Sequence, residues 1–128
     1  MDYENLIAEA MKAREKAHAP YSRFAVGAAL LAKSGRIYTG CNVENASYGL
    51  STCAERVAVF KAVSEGERNF EAIAIVTEKG VTPCGACRQV LMEFGEDTQV
   101  IVANRAGEYR VFTLQELLPE AFTPKHLG

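Results

Sequence analysis

Three cysteines and one glutamate in this sequence are spaced for metal-assisted chemistry. Thr52-Cys53-Ala54-Glu55 and Pro83-Cys84-Gly85-Ala86-Cys87 each set a cysteine in the first turn of a predicted helix. Residues three apart share a helix face and helical side chains lean toward the N-terminus, so Cys84 and Cys87 can close on one ion. The unpaired N–H groups and positive dipole end of the helix favour thiolate there. Cys53, opening another helix, supplies a third sulfur if the two helix ends meet. Three protein ligands leave one tetrahedral vertex open, which is the arrangement of a catalytic zinc and not of a structural one. Water at that vertex becomes a hydroxide source near neutral pH. Glu55, two residues after Cys53, can border the same ion at a helix end, and a carboxylate beside such water is a good general base.

Taken singly, each piece has a plainer reading. A C-x-x-C pair is also a redox motif or two buried free thiols, and Glu55 stands at capping-box distance from Thr52. The combination points to the metal. Cys41 has no partner at ligand spacing and reads as a small buried strand residue. Three thiolates on one divalent ion make a negative cluster, which raises the pKa of bound water. Arg56, three residues after Cys53 on the same helix, is placed to hydrogen-bond the thiolates and offset this charge. Arg88, directly after Cys87, reads equally as a second compensating charge or as a solvated helix arginine.

The elements that must position these groups follow from periodicity. Residues 3–17 carry Leu6, Ile7, Ala10, Met11 and Ala17 at helical spacing, ended by His18-Ala19-Pro20. Residues 24–32 and 37–42 form a hairpin about a turn at Lys33-Ser34-Gly35-Arg36. Residues 42–51 are loop, 53–65 a helix stopped by Gly66, and 72–76 a short buried strand. Thr82-Pro83 opens a further helix with proline at its first position, closed by Gly95. Residues 99–103 and 109–112 are two strands around a turn at 104–107, followed by a short capped helix at 113–118 and a tail. The implied fold is α/β, three layers with a five-stranded mixed sheet between helices.

With 128 residues, 48% hydrophobic and 23% charged, the chain fits a single globular domain over residues 1–128. Its formal charge of -2, without runs of like charge, gives no footprint for polynucleotide phosphates or anionic lipid. A small solute is the expected partner, with no nucleic acid and no membrane. No basic-then-apolar leader or long apolar span is visible, so the expected location is the cytoplasm, where thiols stay reduced.

At these residues the sequence resembles the zinc cytidine deaminases, specifically the small, homotetrameric type. Cys53-Ala54-Glu55 with Pro83-Cys84-Gly85-Ala86-Cys87 matches the signature of that superfamily. Ala19-Pro20-Tyr21-Ser22, Gly40 to Ala46, Cys53 to Arg56 and Glu116-Leu117-Leu118-Pro119 match as well. A larger dimeric branch uses histidine as first ligand. Cys53 puts this chain in the all-cysteine branch, and His18 and His126 match no ligand position. The stretch TEKGVT before Pro83 is slightly short for the family.

The resemblance implies one Zn2+ per subunit and a set of roles. Glu55 shuttles protons between the zinc-activated water, N3 and the 4-amino group of cytosine. Asn42 and Glu44 grip the ribose hydroxyls, Phe24 packs on the nucleoside, and the backbone around Ala54 and Cys84 reads the pyrimidine edge. Phe122 stacks on the base bound by a neighbouring subunit, and Tyr48 lies at the subunit interface near the site. The implied reaction is hydrolysis of cytidine and 2'-deoxycytidine to the uridines with release of ammonia, in pyrimidine salvage. Rival readings are a deaminase of another aminopyrimidine such as blasticidin S, a non-catalytic zinc module with Cys41 as fourth ligand, and a polynucleotide-editing enzyme.

Overall fold

The structure, a computed structural model, describes residues 2–128. Helix α1 (Tyr3–Arg14) starts where Asp2 accepts a hydrogen bond from the Asn5 amide, and it buries Leu6, Ile7 and Ala10. It ends three residues before the expected boundary. The amides of Glu15, Lys16 and Ala17 bond carbonyls three residues back, so the last turn tightens to 3-10 geometry. The hairpin forms as strands β1 (Gly27–Ala32) and β2 (Ile37–Cys41). Strand β1 begins later than residue 24 because the Asn42 side chain takes the polar groups of that stretch. Its Oδ1 accepts from the Val26 amide and its Nδ2 donates to the Phe24 carbonyl.

Helix α2 (Ala54–Ser64) and strand β3 (Phe70–Val76) come next, then α3 (Gly85–Met92), β4 (Gln99–Ala103), β5 (Tyr109–Thr113) and α4 (Leu114–Leu117). Helix α3 corrects the expected start. Cys84 is its N-cap, with extended φ −65° and ψ 166°, and Pro83 lies outside the helix. The expected cap of α4 is present, with Thr113 and Glu116 forming a reciprocal capping box.

The sheet order is β2-β1-β3-β4-β5, with β3 and β4 parallel and the other pairs antiparallel. The five-stranded mixed sheet expected from the sequence is therefore present. Alternation along the strands divides the core in two. Ala28, Leu30, Ile73, Ile75, Val100 and Val102 face α2, α3 and α4. Ala29, Ala72, Ala74, Val76, Ile101 and Ala103 face α1. The three-layer arrangement follows.

Two glycines let helices lie directly against strands. A Cβ on Gly27 would meet the Ala10 carbonyl oxygen at 2.0 Å, and one on Gly40 would meet the Ala54 carbonyl oxygen at 2.5 Å and the Ala58 nitrogen at 2.7 Å. All of those neighbours are helix backbone and cannot swing aside. Gly40 thus sets how closely the first turn of α2, and with it Cys53, approaches the sheet. Gly40→Ala is expected to cost about 1–3 kcal/mol by overpacking and to lower bound metal per chain. Denaturant melts and metal analysis of the purified variant check both.

Candidate active site

Topology brings the two cysteine segments together. Strands β2 and β3 are each antiparallel to β1, so they run the same way and end at one edge of the sheet. The chain leaves β2 toward Cys53 and leaves β3 toward Cys84. Helices α2 and α3 therefore both begin at that edge, outside the carboxyl ends of strands, where open sheets build sites.

Cys53 and Cys84 are the N-caps of α2 and α3, and neither makes a side-chain capping bond. Cys87 sits at the third helical position, which a capping box brings back to the N-cap, and its Sγ lies 3.5 Å from that of Cys84. The sulfurs of Cys53, Cys84 and Cys87 all lie within 4.8 Å of one another. Thiolates at the usual zinc–sulfur distance on a tetrahedron stand about 3.8 Å apart, so the donor set fits zinc. Cys41 is half-buried at the end of β2, bordering a separate groove with Lys12 and Lys61, and is outside this group. Among the described residues the centre has three sulfurs, not the four of a closed structural site. Cys41, expected as a small buried strand residue, does lie on a strand but is only half-buried.

The charges are organised around these sulfurs. Arg56 Nη2 donates to Cys53 Sγ at 3.3 Å, while its Nε is buried without a partner. A leftover cationic donor suits ionised sulfurs better than neutral thiols. Cys53 is lowered to about 5, chiefly by the hydrogen bond from Cys87, with Arg56 adding to it. That bond and burial push the Cys87 thiol up, so of the two it is Cys53 that ionises first. Glu55 is 5% exposed, and burial, reinforced by the negative charge of Cys53, raises its proton affinity. It does not cap Thr52, because the cap position belongs to Cys53.

A cavity of about 730 Å³ opens over the sulfurs, and Phe24, Asn42, Glu44, Ala54 and Glu55 are among its walls. Asn42 and Glu44 do more than line it. Glu44 Oε1 accepts from the amides of Tyr21 and Ser22, and Oε2 accepts from the Ser22 hydroxyl. These bonds, that of the hydroxyl foremost, hold its carboxyl below the usual range. Ser22 Oγ in turn accepts from the Phe24 amide. Between them Arg23 adopts a left-handed φ of 58°, strained for a residue with a side chain. Phe24 therefore stands on a pinned turn ahead of β1, not on the strand.

Sequence reasoning missed Ser22 as a partner of Glu44, and it missed His18. The His18 amide donates to the Asn42 carbonyl and its carbonyl accepts from the Glu44 amide, at 2.9 and 2.8 Å. The bridge fixes the Asn42–Glu44 segment through backbone groups, which carry no sequence signature. Only the offset of Tyr21-Ser22 from a carboxylate in a neighbouring extended segment could have hinted at Ser22. Tyr48 is exposed at the cavity mouth, edge-on to Tyr21. Phe122 is 57% exposed, stacks on His126 and lies outside this chain's own cavity. Arg88 gives all its bonds to the oxygens of Thr82, Pro83 and Leu117, and none to sulfur.

Comparison with known proteins agrees with this geometry. Residues 1–104 match the family described as the cytidine and deoxycytidylate deaminase zinc-binding region. The chain is 55% identical to a cytidine deaminase of Sporosarcina psychrophila, over all of this chain and 96% of that one. A cytidine deaminase of Mycobacterium tuberculosis is 45% identical over 95% of this chain and 90% of its own. In structure the chain is similar to the crystal structure of cytidine deaminase from Burkholderia pseudomallei. The TM-score is 0.91 at 52% identity, covering 95% of this chain and all of the other. Three sulfurs drawn from two helix starts, a fold that superposes over 95% of the chain and a sequence match through residue 104 converge on one family, and the chain belongs to the cytidine and deoxycytidylate deaminases.

Proposed function

We propose that this chain deaminates cytidine and 2'-deoxycytidine hydrolytically, yielding the uridines and ammonia. The observation that carries the reading is a buried Glu55 carboxyl facing the same cavity as three convergent sulfurs. Cys53, Cys84 and Cys87 hold zinc, which when bound supplies a Lewis acid that makes water a nucleophile near neutral pH. Glu55 accepts a proton from the attacking water. It delivers that proton to N3 of the ring, then takes the second proton from the new C4 hydroxyl and gives it to the departing 4-amino group as the C4–N bond breaks. Overall one water is consumed and one ammonia leaves. Arg56 keeps the sulfur cluster from becoming too negative, which preserves the acidity of that water.

The remaining walls orient the nucleoside. Asn42 Nδ2 retains one N–H beyond its bond to Phe24, and Glu44 Oε2 retains a lone pair beyond its bond from Ser22. A ribose hydroxyl can accept from the first and donate to the second. An acidic group there repels a phosphate, which favours a nucleoside over a nucleotide. Phe24 closes one side of the pocket, and backbone groups near Ala54 and Cys84 meet the pyrimidine edge.

Phe122, which is exposed and not among the walls of its own cavity, stacks on the base held by a neighbouring copy in a homotetramer. Tyr48 lies near the contact. Exposed Phe24, Tyr48 and Val81 among the cavity walls supply an apolar surface suited to such burial. Residues 1–128 work as one domain, in pyrimidine salvage in the cytoplasm. No helix among the described residues is long and apolar enough to cross a membrane.

Four kinetic measurements test this. Mixing purified protein with cytidine should give the absorbance change of uridine formation, abolished by a zinc chelator. Glu55→Gln should lower kcat by about a hundredfold or more with zinc content unchanged; full activity in that variant removes Glu55 from the reaction. Glu44→Gln should raise KM about tenfold with a smaller change in kcat, and unaltered cytidine kinetics would end the ribose assignment. Phe122→Ala should raise KM about tenfold by loss of base stacking. Sedimentation of the same variant tells whether it still assembles.

A further inference from the structure

The three sulfurs rest on supports of unequal strength. Cys53 heads α2, whose Ala54, Ala58, Val59 and Ala62 are fully buried against the sheet. Cys84 is exposed and follows residues 77–83, which lie outside any helix or strand. The first half of that connection is held by Thr77, whose Oγ1 accepts from the amides of Gly80 and Val81. The second half, directly before the ligand, is held by Arg88.

The Arg88 guanidinium makes three bonds in three directions. Nε donates to the Pro83 carbonyl at 2.7 Å, Nη2 to Thr82 Oγ1 at 3.0 Å and Nη1 to the Leu117 carbonyl at 2.6 Å. The Leu117 carbonyl ends α4 and has no helical partner, and α4 is anchored in the core by fully buried Leu114. One planar cation thus ties the two residues before Cys84 to a fixed point of the fold. A lysine is a single point charge and cannot span three diverging oxygens.

We propose that Arg88 is a positioning residue for the metal, setting where Cys84 enters α3 and so keeping its sulfur in register with Cys53 and Cys87. This rests on the zinc site described above. It adds a role for an arginine that touches neither the sulfurs nor the cavity.

The test is the rate at which zinc-loaded protein gives up its metal to a chromophoric chelator, below the unfolding temperature. Arg88→Lys and Arg88→Gln should release zinc about tenfold faster, in the range seen when outer groups that orient ligands are lost. Thr82→Val, which removes one of the three bonds, should show a smaller acceleration in the same direction. Arg68→Ala removes bonds to the Val63 and Glu67 carbonyls at the opposite end of α2 and serves as the matched control. It should release zinc at the wild-type rate. Unchanged release from the Arg88 variants overturns the proposal, as does equal acceleration in Arg68→Ala, which marks general loosening. Should the Arg88 variants fail to fold, Thr82→Val decides alone: faster release supports the assignment and wild-type release overturns it. Wild-type protein that binds no zinc overturns the metal reading and this one together. Zinc bound with unaltered variant rates overturns this one only.

Discussion

Two helix starts meeting at one edge of a sheet is the constraint on which the rest depends. Three sulfurs from sequence-distant segments lie within 4.8 Å because β1 runs between β2 and β3 and forces both exits to the same side. The two N-caps then turn their cysteines inward, and the spacing from N-cap to third helical residue does for Cys84 and Cys87 what it does for a capping box. Nothing unusual is asked of the backbone at these cysteines: Cys53 and Cys84 are ordinarily extended and Cys87 is helical. Closeness comes instead from Gly40, which allows α2 to seat on the strand without an intervening methyl group.

Around this centre the electrostatics pull in opposite directions and settle locally. Sulfur ionisation is favoured by Arg56 and by free helix amides, while burial of Glu55 disfavours a second negative charge close by. With zinc bound, which lowers the proton affinity of water, a carboxyl that holds its proton more tightly would be matched to it for moving hydrogen ions. On the far wall, Glu44 is in the opposite condition. Amides and a hydroxyl stabilise its charge and hold its proton affinity below the usual carboxylate range. Two carboxyl groups in one cavity thus have their proton affinities shifted in opposite directions, for reasons that are visible in their surroundings.

Much of this was legible in the residues. Cysteine spacing singled out the three thiols that the fold brings together, and short apolar runs between turns pointed to the five-stranded sheet. The register of the helix ends was not legible. A cap is decided by one ψ angle, and Pro83 before Cys84 reads equally well inside or outside the first turn. The expected helix over residues 3–17 overran because nothing in the side chains of residues 15–17 announces a tightening final turn. The wall of the cavity was opaque for a different reason. Asn42 and Glu44 are held to the segment before β1 through main-chain amides and carbonyls some twenty residues away, which every sequence possesses. The spare thiol, Cys41, shows the converse: its lack of a partner at ligand spacing excluded it correctly, but its exposure depended on a groove between α1 and α2 that no local pattern encodes.

The central place of β1 in the sheet has a consequence for how the chain matures. The donors at 53 and at 84–87 are separated by a helix and a strand, and they share no neighbour until β1 has slotted between its partners. A slip of one residue there would turn Ala28, Leu30 and Ala32 toward α1 and point Gly27 away from it, spoiling both packing layers at once. An ion needing all three sulfurs is therefore gripped only by the finished topology. A chain threaded otherwise would offer such an ion fewer sulfurs, so metal occupancy would count the correctly folded molecules.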